Sequence, residues 1–131
     1  MGNPAPGFKQ FPNHRVTATQ TPSHVRVLVD GTEIADSRAA VLVHETRHDP
    51  VWYLPPEDVV RDVLVPSDSR TYCPFKGYAS YWTIDLPHRQ VEDAVWAYLE
   101  PYDECRSLAG CFAFYPDRVT IEVDGEAQRP T

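Results

Sequence analysis

Val25-Arg26-Val27-Leu28-Val29-Asp30-Gly31-Thr32-Glu33-Ile34-Ala35-Asp36 reads as a β-hairpin. Its first five residues are apolar and mostly β-branched, interrupted by one arginine. Asp30-Gly31 supplies the turn, because glycine accepts the positive φ that a tight hairpin demands. Glu33 to Asp36 is the return strand. This hairpin sets the expectation for the rest of the chain, which is short strands joined by short turns.

Further along, Ala39 to Val43 is apolar and β-branched, and Val51-Trp52-Tyr53-Leu54 is a short aromatic strand. Pro55-Pro56 breaks it, and Pro56 at a first-turn position opens one helical turn over Glu57-Asp58. Asp62 to Val65 reads as a strand stopped by Pro66, with Ser67-Asp68-Ser69 as a loop. Tyr78 to Ile84 is the clearest strand, and Asp85 to Gln90 is its turn. Val91 to Tyr98 fits two templates. Val91, Val95 and Tyr98 match helical spacing, whereas Ala94 to Tyr98 fits a buried strand. Glu104 to Leu108 reads as one helical turn capped by Gly110. Phe112 to Tyr115, a Pro116-Asp117 turn and Val119 to Val123 make a final hairpin. Short strands at roughly ten-residue spacing, with turn signals between them, predict an antiparallel all-β domain. The 13 prolines fit that punctuation.

Size and composition bound the function. The chain has 131 residues, the length of one domain with its own core. Residues 1–22 are rich in Pro, Gly, Thr, Asn and Gln and are expected as a flexible arm, disordered or draped on the surface. Residues 23–126 form the domain and residues 127–131 a tail. The net charge is -7 and no basic stripe is present, which disfavours a nucleic-acid partner. No apolar run approaches the ~18 residues of a membrane span, and no secretory signal pattern is visible. The odd set Cys73, Cys105 and Cys111 contains no C-x-x-C pair. Free thiols in a reducing, cytoplasmic setting are expected.

His44-Glu45-Thr46-Arg47-His48 fits the zinc peptidase pattern H-E-x-x-H. That chemistry needs a helix, where residues i and i+4 share a face and both imidazoles reach one metal. Val41-Leu42-Val43 just before favours a strand, and Asp49-Pro50 stops a helix just after. A strand end running into a polar loop is the expected structure, with no metal bound.

Tyr72-Cys73-Pro74-Phe75-Lys76-Gly77-Tyr78-Ala79-Ser80-Tyr81-Trp82 concentrates a thiol, an ammonium and aromatic rings. Such density suits a shaped site. In an extended chain Lys76, Tyr78, Ser80 and Trp82 share one face, and Gly77, Ala79 and Tyr81 the other. Pro74 denies a ladder hydrogen bond, so Tyr72 to Phe75 is expected at an edge or in an entering loop. That placement puts Cys73 and Lys76 at the rim of a cleft. There Cys73 is a candidate thiolate activated by Lys76. The alternatives are a small buried hydrophobe for Cys73 and a solvated charge for Lys76.

From about Val25 to Gly125 the chain resembles the bacterial domain of unknown function 427 family. Cys73-Pro74-Phe75-Lys76-Gly77 with Ala79-Ser80-Tyr81-Trp82 carries the most specific part of the likeness. Ala35-Asp36-Ser37, Glu45-Thr46, Tyr53-Leu54-Pro55, Trp96-Ala97-Tyr98 and Ala113-Phe114-Tyr115 extend it. The resemblance implies a β-tent, two antiparallel sheets pinned together at one edge. This fold is similar to methionine sulfoxide reductase B and the thalidomide-binding domain of cereblon, with ligands in a cleft between the sheets. Those proteins often hold zinc through two C-x-x-C knuckles, which this chain lacks, so no cofactor is expected. The family has also carried a nucleotidyltransferase label, for which Asp58, Glu45 and Asp85 would have to meet in space.

The expected function is binding of a small, possibly anionic, molecule in an aromatic cleft. Tyr53, Tyr81, Trp82 and Trp96 would be its walls and Lys76, Gly77 and Asp58 its anchoring positions. The alternative is an enzyme, with Cys73, Lys76, Asp58 and Glu45 as catalytic candidates for thiol or nucleotidyl chemistry. A homodimer formed through exposed aromatics is the third reading.

Overall fold

A computed structural model describes residues 2–128. The chain is mostly β. Two antiparallel sheets carry the fold, with only short helical turns beside them. The opening hairpin forms as expected from β2 (Val25–Val29) and β3 (Thr32–Ser37), and Gly31 has φ +82° in the turn. These two strands join β10 (Thr120–Val123) and β11 (Glu126–Ala127) in a four-stranded sheet of order β11-β10-β2-β3.

The larger sheet has seven strands in the order β1-β4-β5-β9-β8-β7-β6. They are β1 (Val16–Gln20), β4 (Val41–Glu45), β5 (Val51–Leu54), β6 (Leu64–Cys73), β7 (Gly77–Leu86), β8 (Arg89–Ala97) and β9 (Phe112–Phe114). Val91 to Ala97, open between helix and strand in the sequence, is strand, because the central position of β8 buries it between β7 and β9. The Pro56–Asp58 turn and the Asp103–Leu108 turn form as 3-10 segments.

The sheets are pinned where β3 meets the chain leaving β5. Ala35 bridges Val59, and the Val60 amide donates to the Ile34 carbonyl at 2.9 Å. This is the β-tent arrangement. Between the sheets lies a dry core in which Val25, Val27 and Ile34 of the small sheet meet Leu54, Ile84 and Phe114 of the large one. Removing a buried ring such as Phe114 costs about 3–5 kcal/mol, which is why this layer fixes the fold.

Four local expectations need correction. Residues 1–22 are not simply an arm. Val16–Gln20 pairs with β4 as an edge strand, and Gly7–Gln10 forms a four-residue helix, α1, docked by the Gly7 amide on the Pro74 carbonyl at 2.9 Å. The sheet therefore begins before residue 23. At the other end Ala127 belongs to β11, and residues 129–131 of the expected tail lie outside the described residues. Asp62–Val65 is not a strand ended by Pro66. Arg61–Val63 is a 3-10 turn, and β6 runs from Leu64 through Pro66 with a bulge between Pro66 and Arg70 that absorbs the expected loop. Pro66 is tolerated because β6 is an edge strand. Finally, Phe112–Phe114 and Thr120–Val123 are not a hairpin. The first pairs with β5 and β8 and the second with β2, so the turn between them carries the chain from one sheet to the other.

Candidate functional site

Alternate residues of the large sheet point away from the small sheet, and they build a second apolar layer. Tyr53 on β5, Ala79 on β7 and Ala113 on β9 are buried there, with Val41 and Val43 from β4. Their chain neighbours Leu54, Phe112 and Phe114 point into the core between the sheets. Cys105 and Leu108 of the Asp103–Leu108 turn close one end of this second layer.

The large sheet curls over this face. Glu45, the last residue of β4, and Lys76, in the turn between β6 and β7, form an ion pair. Four inter-strand steps separate β4 from β7 in the sheet order. A flat sheet would hold them about 19 Å apart at normal strand spacing. The contact therefore requires a trough, and a cleft of about 290 Å³ lies in it.

One end of the cleft is polar. Glu45 is 10% exposed and Lys76 8%. The second Glu45 oxygen takes a hydrogen bond with His14 Nε2 at 2.8 Å. The His14 ring stacks on Phe75 at 3.8 Å. Burial alone would raise the Glu45 carboxyl. The hydrogen bonds from Lys76 and His14 and the charges of Lys76 and His48 outweigh it and hold the group below the usual carboxylate range. His48, Asp49 and Cys73 complete this end.

The other walls are aromatic. The Trp96 indole N–H donates to the Tyr53 hydroxyl at 3.3 Å, and the Trp96 ring lies 4.4 Å from that of Tyr115. Tyr81 and Tyr98 face the same space. Burial raises the Tyr53, Tyr98 and Tyr115 hydroxyls, so all three stay protonated at neutral pH. A second, larger depression of about 540 Å³ continues past Trp96 and Tyr115 toward Arg47 and Pro116.

Of the residues expected from sequence, Tyr53, Cys73, Lys76, Tyr81, Trp96 and Glu45 meet in this cleft. Three do not. Asp58 accepts a hydrogen bond from Ser37 Oγ at 2.7 Å, at the pinned edge of the sheets. Trp82 packs against Phe112 in the core, with ring centroids 5.0 Å apart. Gly77 lies against the backbone of Glu100 and Pro101, and its φ of +117° serves the turn. Strict alternation from Lys76 failed because Lys76 precedes the strand and reaches the cleft from the turn, while Tyr81 reaches it from β7. The cleft also lies on the outer, concave face of the large sheet and not between the sheets, whose facing layers pack into the core; the neighbouring depression reaches the edge of that core at Phe114 and Ile121.

His44 and Glu45 are consecutive on β4, so they point to opposite faces; His44 is exposed. The H-E-x-x-H match is the expected strand end, and Arg47 turns the chain with φ +65°. Asp85 bonds Gln90 at 3.0 Å, far from Glu45 in the pairing scheme. Among the described residues no group of three His, Cys, Asp or Glu side chains is placed to hold a metal ion. Among those residues no helix is long and apolar enough to cross a membrane. Residues that sequence reasoning did not assign to the cleft are His14, Val43, His48, Asp49, Val51, Tyr98 and Tyr115, drawn from strands, loops and the N-terminal segment. Trp96-Ala97-Tyr98, with two aromatics at alternate positions at the end of β8, carried a signal.

Residues 17–125 match the family model NTP_transf_9, described as a domain of unknown function, DUF427. The chain belongs to the DUF427 family. The matched DUF427 region holds β2 to β10 and all the cleft residues, from Val43 to Tyr115. It starts inside β1, so His14 and the helix docked beside Phe75 lie outside the DUF427 match. No curated protein matches the chain.

Proposed function

We propose that this domain is a small-molecule binding module whose ligand lies in the concave cleft of the large sheet. The observation that supports this best is convergence. A buried ion pair and five aromatic rings, supplied by β4, β5, β7, β8 and two turns, face one open volume. Apolar walls with a few placed polar groups are what ligand sites use. About 290 Å³ fits a single ring system with a short substituent. Rings in the walls favour a flat ligand held by offset or edge contacts.

The test is a titration of the isotope-labelled full chain with single-ring fragments, followed by NMR. The chain has three tryptophans. Trp52 and Trp82 pack on the core between the sheets, and Trp96 lines the cleft. Fragments should move the Trp96 indole signal selectively, and Tyr81→Ala should weaken them. Shifts at Trp52 or Trp82 without Trp96, or none at all, would sink the reading.

Cys73 favours a second reading, a thiol-dependent catalyst, because it is half-buried in the same cleft as Lys76. Nucleotidyl transfer has less behind it, since Glu45, Asp58 and Asp85 bond to three different partners. A homodimer would use the exposed rings of Tyr72 and Tyr78 and leave Trp82 in the core.

A further inference from the structure

Resting on the reading of the cleft as a binding site, we propose that its ligand is a small organic cation carrying an ammonium or quaternary ammonium group. The aromatic walls argue this first. The faces of Tyr53, Tyr81, Trp96, Tyr98 and Tyr115 carry negative quadrupole density, which attracts cations and repels anions. Burial raises the hydroxyls of Tyr53, Tyr98 and Tyr115, so their rings stay neutral π surfaces near neutral pH. The chain already uses one of the rings this way. The Arg118 guanidinium lies 5.9 Å from the centroid of Tyr115.

Charge balance argues it a second time. Two carboxylates, Glu45 and Asp49, and one ammonium, Lys76, line the cleft, a formal balance of -1 with His48 uncharged and zero with it protonated, so the lining carries no net positive charge in either state. Lys76 is the only lysine or arginine there among the described residues, and it is spent on Glu45. An anion would have to pull Lys76 from a carboxylate that is itself 10% exposed, leaving that carboxylate without its main partner. A cation needs no such rearrangement. Each Glu45 oxygen accepts one hydrogen bond, from Lys76 or His14, and a carboxylate oxygen has room for a second. The whole chain, at -7, draws cations toward it. Two arginines stand outside the cleft, Arg118 over the Tyr115 ring and Arg47 in the lining of the neighbouring depression.

The experiment compares ligands of equal shape and different charge on the full chain. Choline and benzyltrimethylammonium are titrated beside 3,3-dimethylbutan-1-ol, the neutral isostere of choline, and beside benzoate. The Trp96 indole signal is the readout. Choline should saturate that signal and bind about tenfold more tightly than the alcohol. Asp49→Asn, in an exposed loop where folding is not at stake, should weaken choline severalfold and leave the alcohol unchanged. Equal binding of choline and the alcohol, or tighter binding of benzoate, overturns the cation assignment and leaves the cleft as a site. If no probe of any charge moves the Trp96 signal, both readings fall.

Discussion

Glu45 and Lys76 pair across a seven-stranded sheet, from the end of β4 to the turn before β7. Neither group has much solvent, so the pair is a fastener more than a source of net stability. Taking two charges out of water costs about what their attraction returns. Removing one partner is a different matter, since it strands the other. Lys76→Met should therefore destabilise the fold by about 3–5 kcal/mol in chemical denaturation. Adding Glu45→Leu to Lys76→Met should recover most of the loss. Additive costs in the double variant would mean that the two groups act independently.

Stability should depend on pH through the same carboxylate. The folded value of Glu45 lies below its ordinary 4.5. A depressed carboxylate contributes stability above its unfolded value and loses it as pH falls through the folded one. The gap in stability between wild type and Glu45→Gln should be constant near neutrality and shrink below about pH 4.5. A gap that widens in acid would contradict the assignment.

The three thiols should react in order. Burial pushes Cys105 up to about 11 and raises Cys111 as well. Cys105 also donates to the Phe75 carbonyl at 3.6 Å. Cys73 is half-buried at the cleft. Mass spectrometry after brief iodoacetamide treatment should find the first adduct on Cys73, and a cleft ligand should slow it. First labelling at Cys105 would place the accessible thiol elsewhere.

Gly7 should resist substitution. A Cβ there would meet the Phe75 ring at 2.7 Å and the Pro74 carbonyl at 2.9 Å. Gly7→Ala should lift α1 from the β6–β7 turn and expose residues 2–15 to protease, costing about 1–3 kcal/mol. Unchanged proteolysis would mean that the turn yields to the methyl group.

Asp58 separates stability from binding. Its partner Ser37 is 2% exposed, so Ser37→Ala leaves the half-buried Asp58 carboxylate and the Ala39 amide each one partner short and should cost about 1–2 kcal/mol. Asp58→Asn should leave fragment affinity at Trp96 unchanged. A large loss of affinity would return Asp58 to the site.

Local chemistry made much of this fold legible. Asp30-Gly31 named its own turn, and Pro56 its own helical turn. What stayed hidden was pairing. Phe112–Phe114 is buried on both faces because it lies in the middle of the large sheet, yet its sequence looks like half of a hairpin. Val16–Gln20 turns only Val16 and Ala18 inward, and so polar an edge strand carries little apolar periodicity. At the site, the aromatic density of residues 72–82 pointed to the right region. It could not assign faces, because Lys76 arrives from a turn and because a bulge between Trp82 and Ile84 shifts the register against β8. His14 was out of reach, since its place depends on how the N-terminal segment docks on Phe75.

The strands of the large sheet have two clients. On β8, Val95 and Ala97 answer to the core, while Trp96 between them and Tyr98 just past the strand answer to the cleft. Selection on a ligand can thus rewrite one set of side chains while the interleaved set is held constant by folding. A saturation scan along residues 95–98 would show this as alternating tolerance, with core positions accepting only apolar residues of similar volume and cleft positions sorting variants by ligand. The back wall of the trough can change its chemistry without the tent losing its shape.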